Sequence, residues 1–210
     1  MITGRSVSLK KLESDYLPHI YRWRNDPELM RFYGLYPILS LDKVQEEIKT
    51  NKNLKNRLDF ILLNKNNPIG MVWVKRIDWI NSNCELNCMI GEKNFRSKVF
   101  GAEAIFLLLL FCMNELNLNK VYAKIIEFAH ESHALVSQAG FKKEAVLRKM
   151  VFQDGKYRDL IVYGLLRKEF EAFIGSTQGQ KYLLSSRQIQ PEGHTKKETS
   201  KHEFKTRSNF

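Results

Sequence analysis

The sequence predicts one α/β (α+β) domain, in which helices flank a mixed, mostly antiparallel central sheet of about seven strands. Two observations predict this class. Strand-like and helix-like apolar segments follow one another in the order β-α-α-β-β-β-α-β-α-β-β, which is typical of a mixed sheet with helices on its faces. The chain has 210 residues with 43% hydrophobic and 11% aromatic content, which suffices to bury a substantial core.

The first half of the domain is predicted from apolar patterning and from residues that begin or end helices. Pro27 ends the first helix, because the residue before a proline is driven out of the helical region. Ser40 is suited to cap the second, amphipathic helix. The elements of this half are a strand over 7–12, helices over 16–24 and 41–51, and a strand over 58–64.

The second half begins with a hairpin around Asn81-Ser82-Asn83 and ends with another around Asp154-Gly155. Between them lies a strongly apolar run that predicts a buried helix, and Gly140 stops the short helix that comes later. The predicted elements are strands over 71–80 and 84–90, a helix over 102–116, a strand over 120–126, a helix over 131–139 and two closing strands.

The composition changes near residue 175. Residues 175–210 contain seven Lys or Arg and three Asp or Glu, with few large apolar side chains. Such a segment cannot bury enough apolar area to offset the entropy cost of ordering. The sequence therefore predicts a folded domain over residues 1–174 and a basic, disordered C-terminal tail over 175–210.

Charge and cysteine usage narrow the classes of partner. The net charge of +11 favours an anionic partner, such as nucleic acid, a membrane surface or a phosphorylated small molecule. No nucleic-acid recognition motif supports the first, and the longest apolar run, residues 104–113, has about half of the ~20 residues that a membrane span needs. Cys84, Cys88 and Cys112 fit neither a disulfide framework nor a zinc site, so we expect reduced thiols in a cytoplasmic protein without a bound metal.

A basic loop directly precedes the apolar helix, in the stretch NFRSKVFGAEAI. Arg96 and Lys98 come before Gly101, and a helix N-terminus adds unpaired N–H groups and a partial positive charge. This combination suits a pyrophosphate. The alternative is a solvated basic connection between a strand and a helix, and these residues alone leave both interpretations open.

The order of motifs resembles the GNAT superfamily of acyl-CoA-dependent N-acetyltransferases, in the branch of ribosomal-protein and spermidine N-acetyltransferases. The resemblance covers residues 7–170. It rests on IYRWRNDPELM, PIGMVWV, CELNCMIGEKNFRSKVFGAEAI, LNLNKVYAKI and the closing AGFKKEAVLRKMVFQDGKYRDLIVYGLLRKEF. No one motif decides it, but their order and spacing together are specific.

The resemblance implies that acetyl-CoA lies in a V-shaped opening between two strands, here 84–90 and 120–126. Pantetheine amides pair with the exposed strand edge at Met89, Ile90 and Gly91, and the pyrophosphate lies on the loop that follows. The implied cofactor-binding residues of the loop are Arg96, Ser97, Lys98, Val99, Phe100, Gly101 and Ala102, with Ala129 and Ser132 beyond the next strand.

The resemblance also implies direct attack of a neutral amine on the thioester, assisted by a base and an acid. Glu85 is the candidate base, with a cross-strand ion pair to Lys or Arg as the alternative, and Ser137 is a weak candidate acid. Trp23 and Arg24 are candidate acceptor-binding residues. The acceptor is a polyamine, an amino sugar, an antibiotic or a protein N-terminus, and a homodimer is left open.

Three positions depart from the family pattern. Val99 replaces the first loop glycine, and a β-branched residue strongly disfavours positive φ. Residue 99 therefore either has negative φ with a reduced N–H array or stores strain. Ala129 stands where the family has asparagine, and Val136 where it has the acid tyrosine. These losses motivate a second hypothesis, a GNAT-like protein that binds CoA without turnover.

Overall fold

An eight-stranded sheet forms the centre of the domain, in the order β1-β2-β3-β4-β5-β6-β8-β7. The computed structural model describes residues 1–33, 39–96, 98–177, 179–180 and 182. Every neighbouring pair of strands is antiparallel except β5 and β6. The strands are β1 Ile2–Thr3, β2 Ser8–Lys11, β3 Leu58–Asn64, β4 Asn67–Asp78, β5 Asn83–Ile90, β6 Lys120–Ile126, β7 Lys142–Gln153 and β8 Lys156–Leu166.

Helices cover both faces of this sheet. They are α1 Leu17–Arg24, α2 Pro27–Met30, α3 Leu41–Lys52, α4 Lys98–Leu110, α5 His130–Gln138 and α6 Arg167–Gly175, and α4 continues as a π-helical turn over Phe111–Glu115. Ser40 caps α3 by accepting a hydrogen bond from the Lys43 N–H at 3.2 Å, as the sequence predicts. Among the described residues, none of the helices combines the length and apolar composition that a bilayer crossing requires.

Two separate cores lie on the two faces. The larger one packs α4, α5 and α6 against the sheet, with Leu107, Leu108 and Leu109 of α4 fully buried. The smaller one packs α1, α2 and α3 against β2 to β5, and includes Trp23, Met71 and Met89. Because alternate residues of a strand point to opposite faces, the odd-numbered residues of β5 lie on the α1–α3 face.

The predicted fold class is confirmed, and most elements lie within a few residues of their predicted bounds. The strands at 58–64 and 120–126 have the predicted bounds. The sequence pattern did not predict β1, α2 or α6, and it placed the start of the long helix four residues late, because Gly101 suggested a loop where the helix has already started.

Most of the predicted tail lies outside the described residues. Of its first residues, Tyr182 stacks on Phe106 of α4, with ring centroids 5.2 Å apart. Phe173 of α6 contacts the same phenylalanine at 6.4 Å. The beginning of the segment that composition marks as a tail therefore packs against the larger core.

Candidate active site

A V-shaped opening separates β5 from β6. The two parallel strands share only three paired positions, Asn83↔Lys120, Cys84↔Val121 and Glu85↔Tyr122, and diverge beyond them. Residues 86–90 of β5 stay paired with β4 on the other side. Their backbone groups on the open side therefore lack a neighbouring strand, and apart from the Cys88 and Ile90 carbonyls, which accept from Tyr33 and Arg96, they can pair with an extended ligand that has amide groups.

Tyr33 lies against this open edge, on the α1–α3 face. Its hydroxyl donates a hydrogen bond to the backbone carbonyl of Cys88 at 2.5 Å, and its ring contacts Trp73 with centroids 6.3 Å apart. Burial raises the pKa of Tyr33 far above its ordinary value, so the phenol keeps its proton. Tyr33 was not predicted as a site residue. Its only signal was the aromatic cluster RFYGLY, residues 31–36, of which 34–36 lie outside the described part of the chain.

Gly91 ends the open edge beneath the Trp23 indole. A Cβ added at Gly91 would lie closer than 3.0 Å to three indole atoms, a distance that real Cβ atoms essentially never show. Trp23 is 2% exposed and donates from Nε1 to Glu92 Oε1 at 3.0 Å. Trp23, a candidate acceptor-binding residue, packs in the smaller core against the end of β5. Arg24 likewise pairs with a protein group, Glu47, at 3.0 Å.

Arg96 connects the loop after β5 to Asp26, the N-cap residue of α2, through hydrogen bonds. Its guanidinium donates to Asp26 Oδ2 at 2.9 Å and to the carbonyls of Ile90 and Gly91 at 3.3 and 3.0 Å. Burial alone would raise the pKa of Asp26, but hydrogen bonds from Arg96 and from the backbone of Leu29 lower it below its ordinary value. These contacts turn the guanidinium toward α2, so a direct role at a pyrophosphate would require breaking them.

We expect Arg96→Ala to lower the free energy of unfolding by about 1.5–3 kcal/mol, because a partly buried carboxylate and two carbonyls lose a charged donor. The matched control is Lys93→Ala. Lys93 pairs with Glu28, but both side chains are more than half exposed, so a change of about 0.5 kcal/mol or less is expected. Urea unfolding measures both. Unchanged stability with weaker, salt-sensitive acetyl-CoA binding would instead assign Arg96 to the pyrophosphate.

The N-terminus of α4 begins at Lys98, at the mouth of the V. Val99 lies in its first turn, is 64% exposed and is absent from the residues with positive φ. Residue 99 therefore has negative φ, and no strain from positive φ arises there. Phe100 packs edge-on against Phe95 at 5.2 Å, while Gly101 brings α4 close to Leu135 of α5. Ala102 follows within α4. Ser97 and the side chain of Lys98 lie outside what the structure describes.

The N-terminus of α5 forms the other side of the mouth. Ala129 occupies its N-cap position, is 4% exposed and provides no side-chain cap. Ser132 lies in the first turn, whereas Ser137 is exposed near the end of the helix, about 7–8 Å further along the helix axis. His133 joins α5 to the end of β6 through a hydrogen bond with the Ile126 carbonyl and to β8 through one with the Tyr163 hydroxyl, each at 3.0 Å.

Glu85 lies at the apex of the V, where β5 and β6 still pair. It is 3% exposed, and its carboxylate lies 3.0 Å from Lys75, 2.7 Å from Arg76 and 3.4 Å from Lys124. Burial acts to raise the pKa of Glu85, but the hydrogen bond and charge of Lys75, together with Lys124 and Arg76, lower it below its ordinary value. These contacts favour the alternative role, a cross-strand ion pair, over that of a free base.

The 3₁₀ turn Arg31–Tyr33 bridges the open end of the V on the α1–α3 face. Beyond Tyr33, the ring of Phe32 contacts Phe128, just past β6, at 5.9 Å. Arg31 lies 5.3 Å from the same ring and pairs with Asp154 of the β7–β8 turn at 2.9 Å. The V is therefore bordered by α4 on one face and by this turn on the other.

A central sheet split between one pair of parallel strands, with a helix N-terminus at the mouth, defines the class of protein. Residues 6–142 match the acetyltransferase (GNAT) domain. The chain therefore belongs to the GNAT acetyltransferase family, and it is an N-acetyltransferase. Within the described residues, no group of three or more His, Cys, Asp or Glu could hold a metal ion.

Individual relatives cover nearly the whole domain. The SPbeta prophage-derived uncharacterized N-acetyltransferase YokL of Bacillus subtilis is 29% identical over 170 residues, which are 80% of this chain and 94% of that protein. Spermidine N(1)-acetyltransferase of Escherichia coli is 21% identical over 188 residues, 90% of this chain and 100% of that protein.

A solved structure has the same fold. The spermidine N-acetyltransferase from Vibrio cholerae, in complex with CoA and spermine, superposes with a TM-score of 0.76 at 23% identity, covering 79% of this chain and 98% of that one. At this identity, the likeness shows the shared fold alone.

Proposed function

We propose that this protein transfers the acetyl group of acetyl-CoA to a primary amine by direct attack. One observation carries the proposal: β5 and β6 diverge after three paired positions, and the N-terminus of α4 stands at the mouth of the opening. An unpaired strand edge and a helix N-terminus suit the two ends of CoA, the amide-bearing pantetheine and the pyrophosphate.

The cofactor is proposed to bind mainly through backbone groups. Residues 86–91 offer the unpaired edge to pantetheine, and the first turn of α4, including Val99, Phe100 and Gly101, directs N–H groups at the pyrophosphate. Ala129 and Ser132 lie on the opposite side of the mouth.

The reaction needs little help from side chains. The nitrogen lone pair forms a bond to the thioester carbon, the C–S bond breaks, and CoA leaves as a thiolate. The amine proton passes to a base. Because three cations already neutralise Glu85 and its pKa is lowered, we propose that Glu85 fixes the apex of the V and that water takes the proton. The Tyr33 hydroxyl lies at the open edge but already donates to the Cys88 carbonyl, and Ser137 is exposed, so we propose that the thiolate leaves without a side-chain acid.

A CoA-binding protein without turnover is the second candidate. Val136, at the position of the family's acid tyrosine, is 3% exposed in the core and carries no polar side-chain group.

The acceptor is proposed to be a polyamine, an amino sugar or a protein N-terminus. We further propose a cytoplasmic protein, in keeping with its three free cysteines, and leave a homodimer as a prediction.

Calorimetry with acetyl-CoA, followed by a thiol-release assay across a library of primary amines, tests the proposal. We expect saturable 1:1 binding, release of free CoA with at least one amine, and an acetylated product heavier than the amine by one acetyl group in mass spectrometry. Binding without thiol release for any amine would favour the second candidate, and absence of binding would contradict both.

A further inference from the structure

Three cations surround one carboxylate at the apex of the V. Lys75, Arg76 and Lys124 all pair with Glu85, which leaves two positive charges in surplus. The side chains of these cations are 33%, 61% and 28% exposed, whereas that of Glu85 is 4% exposed. The buried carboxylate therefore faces inward, and the surplus charge remains accessible to a ligand.

The position of this cluster matters for the acceptor. Glu85 is opposite Tyr122 in the last pair before the strands diverge. Lys124 lies two residues further along β6, about 6–7 Å from Tyr122, where β6 no longer has β5 beside it. Tyr122 and Lys124 alternate with Val121, Ala123 and Ile125 of the larger core, so they point away from α4.

This is the face from which an amine can approach. The cofactor enters beside the N-terminus of α4, and α4 packs on the opposite face of the sheet. On the cationic face, none of the described residues of β6 belongs to the smaller core, and the 3₁₀ turn Arg31–Tyr33 contacts Phe128, just past β6. A molecule that reaches the acetyl group from this side passes the cation cluster.

Besides Glu85, two carboxylates near the opening are paired. Asp154 lies 2.9 Å from Arg31, and Glu127 lies 3.3 Å from Arg158. Both arginines also lie against the Phe128 ring, at 5.3 and 5.5 Å. The additional ammonium groups of a polyamine would meet this positive surplus, and each of these three carboxylates would have to give up a bound cation to pair with them.

We infer that the acceptor is an amine that also carries an anionic group, a carboxylate or a phosphate, which binds to Lys124 and Arg76 at the apex of the V. This inference rests on the proposed acetyl transfer and narrows its substrate class. It excludes the polyamine among the three proposed acceptors. Arginine and lysine together suit either anion, because arginine offers a planar pair of donors and lysine a point charge.

A matched series of primary amines tests the inference. 4-Aminobutanoate, butylamine and 1,4-diaminobutane share a four-carbon chain and differ in the charge of the far end. O-Phosphoethanolamine and ethanolamine form a second pair, which distinguishes phosphate from carboxylate. At low ionic strength we expect kcat/KM to fall in the order anionic, neutral, dicationic, with about tenfold or more between the extremes, and 0.5 M salt to compress the range.

Lys124→Gln and Arg76→Gln should each lower kcat/KM for the preferred anionic amine several-fold and leave butylamine nearly unchanged. Lys49→Gln, on the exposed face of α3, removes the same charge away from the cleft and is the matched control. A preference for 1,4-diaminobutane, or equal losses with all amines in both cleft variants, would overturn the inference.

The same series is also titrated calorimetrically into the CoA-loaded protein, so that the inference is tested even without turnover. Absence of thiol release with every amine would contradict the proposed function, while binding of the anionic amines alone would still support the cationic subsite. No binding of either anionic amine, or tighter binding of the dication, would overturn the inference itself.

Discussion

Gly91→Ala is expected to lower the free energy of unfolding by about 3 kcal/mol, the upper end of the usual cost of overpacking. The added methyl group would overlap the Trp23 indole, and neither partner can move freely. Trp23 is buried and hydrogen-bonded to Glu92, while the Gly91 backbone bonds to Ile69 and accepts from Arg96. Because Gly91 ends the open edge of β5, acetyl-CoA affinity should fall together with stability.

Urea unfolding and calorimetry measure the two effects. Gly175→Ala is the matched control, since a Cβ there meets nothing within 4 Å, and it should leave both quantities unchanged. Trp23→Leu is costly by itself, but in that background Gly91→Ala should cost clearly less than in the parent chain. An additive double variant, or a Gly91→Ala protein as stable as the parent, would contradict the contact between Gly91 and Trp23.

Glu85→Gln is also expected to have a large effect, on the stability of the protein rather than on catalysis. The amide cannot neutralise Lys75, Arg76 and Lys124, so the free energy of unfolding should drop by about 1.5–3 kcal/mol. In folded protein, kcat should remain within about tenfold of the parent, whereas loss of a general base costs about 10²–10⁴-fold. A kcat loss in that range at unchanged stability would identify Glu85 as the base.

The matched control is Glu46→Gln. Glu46 also pairs with a lysine, Lys43, but its side chain is 70% exposed, so little change in either quantity is expected. The comparison separates the burial of Glu85 from the mere loss of an ion pair.

The pH dependence follows from the lowered pKa of Glu85. A carboxylate whose pKa is lowered on folding stabilises the protein above its unfolded pKa, and this contribution disappears as the pH falls through the lowered pKa, under the ordinary range of a glutamate. Between pH 6 and 9 Glu85 therefore stays ionised. In that range kcat/KM should rise only with the deprotonated fraction of the amine, with the same shape in Glu85→Gln.

The sequence predicts the fold well where apolar segments are long and clearly bounded. The strands Leu58–Asn64 and Lys120–Ile126 lie between polar or turn-forming residues, and their bounds were predicted correctly. The helix α2 has only four residues, too few for a periodic pattern. The start of α4 was missed because Gly101 lies inside the helix, where it allows close packing against Leu135.

The candidate site was predicted in outline, and its contacts were not. The order of motifs located the opening between β5 and β6. The partners of Arg96 could not be predicted, because Asp26 lies 70 residues earlier in the chain. Glu85 likewise receives its cations from β4 and β6, and only the register of three strands brings them together. Such ion pairs depend on tertiary structure. Residue type and spacing along the chain do not predict which charged side chains will meet.

The central claim is that the open edge of β5 binds the pantetheine of acetyl-CoA. Hydrogen–deuterium exchange with and without acetyl-CoA tests it most directly. We predict slower exchange in peptides covering residues 86–91 and the first turn of α4 when acetyl-CoA is bound, with unchanged exchange in α3, Leu41–Lys52, on the far side of the smaller core. Saturating acetyl-CoA that leaves exchange in residues 86–91 unaltered would contradict the claim.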